Sequence, residues 1–227
     1  MMRQQVLHGY VLHQRAYREN SRLVNFLSVE YGRVDGVARQ ALPPLYQPTL
    51  LYASGKTGLK SFTKIELAGG VHTLQGQALF AGFYLNELLV RLLPVEEPCP
   101  ALFAAYAVAL SDLVQLPHHT APAHALLQLL RRFEWALLDA LGYAIRFDTD
   151  ADGRPIDAQG TYRYQSGVGF VAHTQGDLGA LLLSLGDPAQ VSQPEHVALL
   201  TRTFRREIAA QLGDQPLKSR ELWLASR

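Results

Sequence analysis

The sequence predicts an α+β protein, with a small five-stranded β-barrel or sandwich at the N-terminus followed by a mainly α-helical body that carries a short β-hairpin. From Val6 to about Val71, short runs with a hydrophobic period near two alternate with turn residues, the pattern of half-buried strands. After Gly69-Gly70 the period lengthens toward 3.6, the helical value. Proline and glycine then stand at the ends of the periodic stretches, where helices start and stop. With 227 residues, 48% of them hydrophobic, the chain can bury a substantial core as one large domain or two small ones.

The strands are expected at Val6 to Leu12, Leu23 to Val29, Arg33 to Arg39, Thr49 to Ala53 and Leu59 to Leu67. Tyr31-Gly32 supplies the turn into the third, and Ser54-Gly55 with Thr57-Gly58 brackets Lys56 in a hairpin loop before the fifth. A boundary near residue 72 follows. Gly76 to Leu93 reads as a helix stopped by Pro94, Pro100 to Leu116 as one stopped by Pro117, and Pro122 to Leu141 as one closed by Gly142. In the third of these, Leu126, Leu130, Phe133, Leu137 and Leu141 recur at helical spacing and form a core stripe. Arg146 to Val171 is rich in turn residues, with Tyr162-Arg163-Tyr164 and Phe170-Val171 flanking Gly167 and Gly169 as a hairpin would. Helix resumes at about Leu178 to Leu185 and at Pro194 to Leu212, where Gly213 caps the end. Leu200, Phe204, Ile208 and Leu212 line one side of that last helix, and Arg202, Arg205 and Arg206 lie elsewhere on its surface. Domains are therefore expected at residues 1–72 and 73–227, the hairpin region falling at about 145–172.

A formal net charge of +1, taken whole, argues against nucleic acid, because phosphate binding shows as an excess of Lys and Arg. The average conceals a gradient. Residues 1–70 carry nine Lys/Arg against four Asp/Glu, residues 71–160 five against ten, and residues 161–227 seven against six. A basic N-terminal surface beside an acidic middle suggests that the β domain meets a polyanion. Cys99 is the sole cysteine, which excludes an intramolecular disulfide and a cysteine-rich zinc site and fits a reducing compartment. Met1 to Tyr10 lacks the apolar centre of a signal peptide, and no run approaches the roughly 20 apolar residues of a membrane span. The expected location is the cytoplasm.

Motifs for chemistry fail on inspection. Ser54-Gly55-Lys56-Thr57 lacks the second glycine of a phosphate loop, Leu50 standing in its place, and leads into a strand instead of a helix. Asp148, Asp150, Asp152 and Gly153 match the first half of a calcium loop, but Gln159 replaces the bidentate Glu and Pro155 intrudes; a solvated acidic loop is expected. His118, His119 and His124 cluster between prolines without a Cys or carboxylate to complete a zinc set. No nucleophile elbow, dinucleotide fingerprint or metalloprotease helix is present. The expectation is a non-enzyme with no cofactor, nucleotide or metal.

What remains is a basic set: Arg15, Arg18, Arg22, Arg33, Arg39, Lys56, Lys60 and Lys64. Alternate residues of a strand share a face, so Lys60, Phe62 and Lys64 are expected to project together, as are Arg33, Asp35, Val37 and Arg39. Cations flanking an aromatic suit a single strand, with phosphates on the cations and a base on the ring. The competing reading places Phe62 in the barrel core and the lysines in solvent.

Tyr17-Arg18-Glu19, Tyr31-Gly32-Arg33-Val34 with Val37-Ala38-Arg39, Gly82-Phe83-Tyr84-Leu85-Asn86-Glu87-Leu88-Leu89, Arg131-Arg132-Phe133-Glu134, Leu141-Gly142-Tyr143 and Pro216-Leu217-Lys218-Ser219-Arg220-Glu221-Leu222, in this order over nearly the whole chain, resemble the RecO family of bacterial recombination mediators. The resemblance implies an N-terminal OB-fold barrel and a helical domain. It also implies binding of single- and double-stranded DNA, annealing of complementary strands, engagement of the C-terminal tail of single-stranded-DNA-binding protein, and action with RecR to help load RecA. Arg131 and Arg132 stand in the family segment where a guanidinium beside an apolar groove would hold a peptide carboxylate; the alternative is an ion pair with Glu134 or Asp139 on the same helix. Lys218 and Arg220 would either contact a partner or DNA, or fasten the C-terminus. Asn86 and Glu87 are expected to pair internally, Glu87 with Arg91 at i,i+4 spacing.

Two departures bear on function. The Gln40 to Pro48 loop is short, proline-rich and uncharged where many relatives carry a long basic one, which favours an alternative in which the chain is a protein–protein adaptor with little direct DNA affinity. The segment after Tyr143 lacks the four cysteines with which some relatives hold zinc, so zinc is not expected.

Overall fold

In a computed structural model of the chain, which describes residues 4–55, 58–70, 73–186, 191–213 and 215–225, the period-two segments form β1 (Gln5–Tyr17), β2 (Ser21–Ser28), β3 (Gly32–Ala38), β4 (Pro48–Ser54) and β5 (Lys60–Leu67). They close in the order β1-β2-β3-β5-β4, antiparallel throughout except where β3 meets β5. This is a five-stranded barrel of the OB type. Its interior is filled by Leu7, Val11, Val24, Phe26, Val34, Ala38, Leu51, Ala53 and Phe62. Gly36 of β3 faces that interior, where a Cβ would lie 2.5 Å from the Phe62 ring.

Two bulges shape the barrel. In β1 the register runs Val11↔Phe26 and then His13↔Asn25, leaving Leu12 as the surplus residue; a bulge bends its strand and increases the twist. The apolar Leu12 interrupts the alternation, and β1 runs on past it as far as Tyr17. In β5 the register passes from Tyr52↔Thr63 to Leu50↔Glu66, and Lys64 within that step has a φ of 47°.

The helical segments α1 (Gly76–Leu92), α2 (Pro100–Gln115) with a 3-10 turn (Leu116–His118), α3 (Pro122–Ala140), α4 (Gly179–Leu183) and α5 (Pro194–Leu212) follow the sequence pattern closely, and a further helix, α6 (Lys218–Ala225), lies where the pattern gave none. Between α3 and α4 lies a small sheet of β6 (Thr161–Gln165), β7 (Gly169–Ala172) and β8 (Asp177–Leu178), with β6 central. Pro100–His118 is, among the described residues, a helical stretch long and apolar enough by length and composition to cross a membrane. That corrects the expectation that no run approaches such a length, although Leu102, Tyr106, Ala109, Leu110 and Leu113 of α2 are buried within the protein.

Contacts group the chain into two units, Met1–Gln115 with Leu217–Arg227, and Leu116–Pro216. In the first, α1 packs on β1 and receives α2 and α6. Asn86 of α1 donates to the Leu12 carbonyl at 2.8 Å, the group that the β1 bulge leaves without a cross-strand partner in the register. Its Oδ1 accepts from the Tyr106 hydroxyl of α2 at 2.6 Å. One buried amide thus joins strand and both helices. Phe80 meets Trp223 of α6 edge-on at 5.4 Å.

In the second unit α3 packs on α5. An aromatic chain forms its centre: Trp135 lies 5.2 Å from Phe147 and 5.8 Å from Phe204, and Phe170 lies 5.5 Å from Phe147 and 5.3 Å from Tyr164. The acidic loop before β6 is partly offset by two ion pairs within it. Arg146 pairs with Asp148, Arg154 with Asp152, and the Asp150 carboxylate accepts the Asp152 and Arg154 N–H groups.

Candidate nucleic-acid interface

On the outward side of β1, β2 and β3 Arg15 remains accessible, with Arg18 and Arg39 exposed just past the strand ends. Arg15 faces Leu23 across the β1–β2 ladder, Leu23 faces Val37 across β2–β3, and Val37 faces Ser61. Arg15 is exposed, with Leu23 and Val37 half-buried beside it. Neighbouring strands lie about 4.8 Å apart, so Arg15 and Val37 are separated by about 10 Å across the sheet. Arg39, two residues past Val37 and exposed, lies toward the same end as the Tyr17↔Ser21 pair. In the β1–β2 turn Arg18 adopts a φ of 53° and sets its guanidinium 5.1 Å from the centre of the Tyr17 ring. Arg15, Arg18 and Arg39 therefore surround an apolar floor with one aromatic at its edge. In the OB fold, this strand face and the adjoining loops are where oligonucleotides bind.

Arg22, exposed, turns to the opposite side of β2 from Leu23 and donates to Gln14 Oε1 at 3.0 Å. Lys56 lies outside the described residues, as does Thr57 beside it.

Two of the expected DNA ligands are engaged inside the protein. Arg33 donates to the Val90 carbonyl in the last turn of α1, where helix carbonyls lack intrahelical partners, and reaches Asp35 at 3.3 Å. Lys60 is 6% exposed and its Nζ lies 2.6 Å from Glu96. Glu96 in turn donates its N–H to the Arg33 carbonyl at 2.7 Å. Arg33 thus ties the last turn of α1 to the barrel, and Lys60 the segment after it.

Lys60 and Lys64 do not share a face. Lys60 lies on the buried side with Phe62, which is 2% exposed in the core. The bulge at Lys64 reverses the alternation and sends its ammonium outward, 5.2 Å from the Tyr52 ring. The grouping of Lys60, Phe62 and Lys64 on one surface is corrected by that irregularity, and Phe62 offers no stacking platform. Tyr17 and Tyr52 are the ring surfaces beside cations instead. The adjacency of Tyr17 to Arg18 in the chain was the one signal of this in the sequence.

In the second unit, Arg131 is buried and its Nη2 lies 2.5 Å from Glu134, the same-helix ion pair. Arg132 is exposed. At the C-terminus, Glu87 accepts the Lys218 N–H at 2.9 Å and the Ser219 N–H at 2.8 Å. It does for α6 what an N-cap side chain does, but from another helix. Burial by itself pushes the Glu87 carboxyl up, yet the Ser219 hydroxyl and N–H, the Lys218 N–H and the Arg91 guanidinium hold it below its ordinary value. Asn86 and Glu87 accordingly bond to different partners, not to each other. The side chains of Lys218 and Arg220 are exposed.

For metals, no group of three or more His, Cys, Asp or Glu among the described residues could hold an ion. His124 instead meets the Ser192 carbonyl at 3.0 Å.

An OB barrel with basic residues on its outer face, followed by a helical body, is an architecture in which the barrel commonly binds oligonucleotides or oligosaccharides. The particular family comes from comparison. Residues 2–70 match the model of Recombination protein O N terminal, and residues 74–221 that of Recombination protein O C terminal. The chain is 43% identical over 225 residues to a DNA repair protein RecO of Pseudomonas aeruginosa (strain PAO1), covering 95% of this chain and 93% of that one. It is 42% identical over 227 residues to a protein of the same description from Stutzerimonas stutzeri (strain A1501), covering 95% and 92%, and 42% identical over 225 residues to one from Pseudomonas putida (strain W619), covering 95% of each. The chain belongs to the RecO family.

Proposed function

We propose that this RecO-family chain is a non-catalytic, cytoplasmic recombination mediator that binds single- and double-stranded DNA through the outer face of its barrel and promotes annealing of complementary strands. The observation that carries the reading is the row Arg15, Leu23 and Val37 with Arg18 and Arg39 at its end. Cations there meet phosphates, and the apolar floor and the Tyr17 ring accept bases. Partners in this reading are the C-terminal tail of single-stranded-DNA-binding protein, held at exposed Arg132, and RecR, with which the chain assists RecA loading. Lys218 and Arg220 offer further partner contacts. Residues 1–72 act as the DNA-binding domain and residues 73–227 as the partner-binding one.

A titration of labelled oligonucleotide at several salt concentrations tests it. Affinity that falls steeply with salt in the wild type, and is lost in a variant with Arg15, Arg18, Arg39 and Lys64 all replaced by alanine, supports the reading. Binding that is absent at low salt, or indifferent to both salt and the four substitutions, removes it.

A second reading, that the chain is a protein–protein adaptor with little direct DNA affinity, is favoured by the internal engagement of Arg33 and Lys60. It predicts that DNA is retained only when a partner is present.

A further inference from the structure

Three arginines of the second unit converge on one cleft of about 290 Å³. Arg163 comes from β6, and Arg202 and Arg206 come from successive turns of α5; Tyr162, Tyr164 and Asp177 complete the walls. Each guanidinium is already held at the rim. Arg163 donates to the Gln175 carbonyl at 3.0 Å, Arg206 to the Tyr164 carbonyl, and Arg202 to the Asp177 carboxylate. A guanidinium carries five N–H donors, so one fixed bond positions each side chain and leaves donors for a ligand. Ordering these long side chains beforehand reduces the entropy that binding would otherwise cost.

The charge and surface of the cleft select the ligand. Three cations face one carboxylate, because the neighbouring Glu207 is buried and accepts from the Tyr164 hydroxyl at 2.7 Å and from Gln211 at 2.8 Å. Arg205, exposed on the same helix, extends the positive surface. No aliphatic side chain lines the cleft, so the hydrophobic end of an acidic peptide finds no pocket there. Arg202 and Arg206 are displaced by about 6 Å along the helix axis, which lets them serve adjacent anionic groups of one chain.

We propose that this cleft is a second DNA contact, in which Arg163, Arg202 and Arg206 bind the phosphodiester backbone of a single strand. The inference rests on the reading that the chain binds DNA, and it deepens that reading: a protein with one cationic site on each unit can hold two strands, as annealing requires.

The test uses the full chain and a labelled oligo-dT strand, with fluorescence anisotropy followed across a salt series. For single strands the slope of log K against log salt is about −0.7 per phosphate contact, so replacing all three arginines by alanine is expected to reduce its magnitude by about 2. Ultraviolet cross-linking of a halogenated oligonucleotide to the wild type, followed by peptide mapping, makes the test independent of how the variant folds; adducts are expected in the peptides spanning 162–164 or 202–206. An unchanged slope with no adduct in those peptides overturns the second contact and leaves the barrel reading standing. A wild type that shows no salt-dependent binding removes both. If a labelled polyglutamate peptide binds the wild type but not the triple variant, while the DNA slope is unchanged, the cleft serves an acidic protein segment and the proposal fails.

Discussion

Glu87 holds Ser219 through two hydrogen bonds, one from its N–H at 2.8 Å and one from its hydroxyl at 2.6 Å. A carboxylate in the middle of α1 therefore fixes the start of a helix 132 residues away in the chain. Replacing Glu87 by Ala leaves those donors without a protein partner and is expected to cost about 1 to 3 kcal/mol, read in urea unfolding. Limited proteolysis should then cut at α6 before any other helix.

The same contact sets an acid limit. The Glu87 carboxyl is held below its ordinary 4.5 in the folded chain, so its contribution is fully present above that value and is lost as the pH falls through the lowered folded one. The unfolding free energy of the wild type should decline over that acid range more steeply than that of Glu87→Gln. Parallel acid titrations followed by circular dichroism would expose an identical decline, the outcome that discounts the carboxylate.

Asn86 makes a different prediction, because it spans two partners. Tyr106→Phe removes one donor and leaves Asn86 Oδ1 buried without it, at an expected cost of about 1 to 3 kcal/mol. Asn86→Leu removes both the bond to the Leu12 carbonyl and the one from the Tyr106 hydroxyl, so it should cost more than Tyr106→Phe, which removes one. Denaturant midpoints of the two variants decide the order.

How much of this was legible in the sequence depends on the range of the interactions. The five strands, the three long helices before the hairpin and α5 follow from local period and from Pro and Gly at their ends, so their positions are readable within a few residues. The continuation of β1 beyond Leu12 was not readable, because a bulge there breaks the alternation and Asn86, distant in sequence, supplies the compensating bond. Nor was α6: it is short, and its first turn is closed by Glu87 instead of a residue of its own segment. At the site, the placement of Arg15 was hidden with the continuation of β1 that carries it, and Lys60 and Lys64 are separated by a bulge that no pattern of apolar residues announces.

Lys60 and Arg15 should consequently behave in opposite ways. Lys60→Met breaks the ion pair with Glu96 and should lower stability while leaving DNA affinity and its salt slope unchanged. Arg15→Ala combined with Arg39→Ala should leave the denaturant midpoint unchanged and reduce the single-strand salt slope by about 1.4, two contacts' worth. Anisotropy titrations on both variants separate the cases, and a reduced slope in Lys60→Met would return that lysine to the interface.

Arg131 and Arg132 are neighbours with contrasting environments, and substitution should tell them apart. The Arg131 side chain is 8% exposed and pairs with Glu134, itself 1% exposed. Arg131→Ala takes the ion-pair partner from the buried Glu134 carboxylate and should cost about 3 kcal/mol in urea unfolding. Arg132 projects into solvent from the same helix, and Arg132→Ala should leave stability within about 0.5 kcal/mol of the wild type. If the proposed tail-binding role holds, that same substitution weakens the affinity for a peptide of the single-stranded-DNA-binding protein tail, and most strongly at low salt, because an exposed guanidinium attracts a carboxylate through a screened field. Calorimetric titration of the peptide into both variants, each first shown to be folded, measures this. Undiminished affinity in Arg132→Ala would move the tail to another surface.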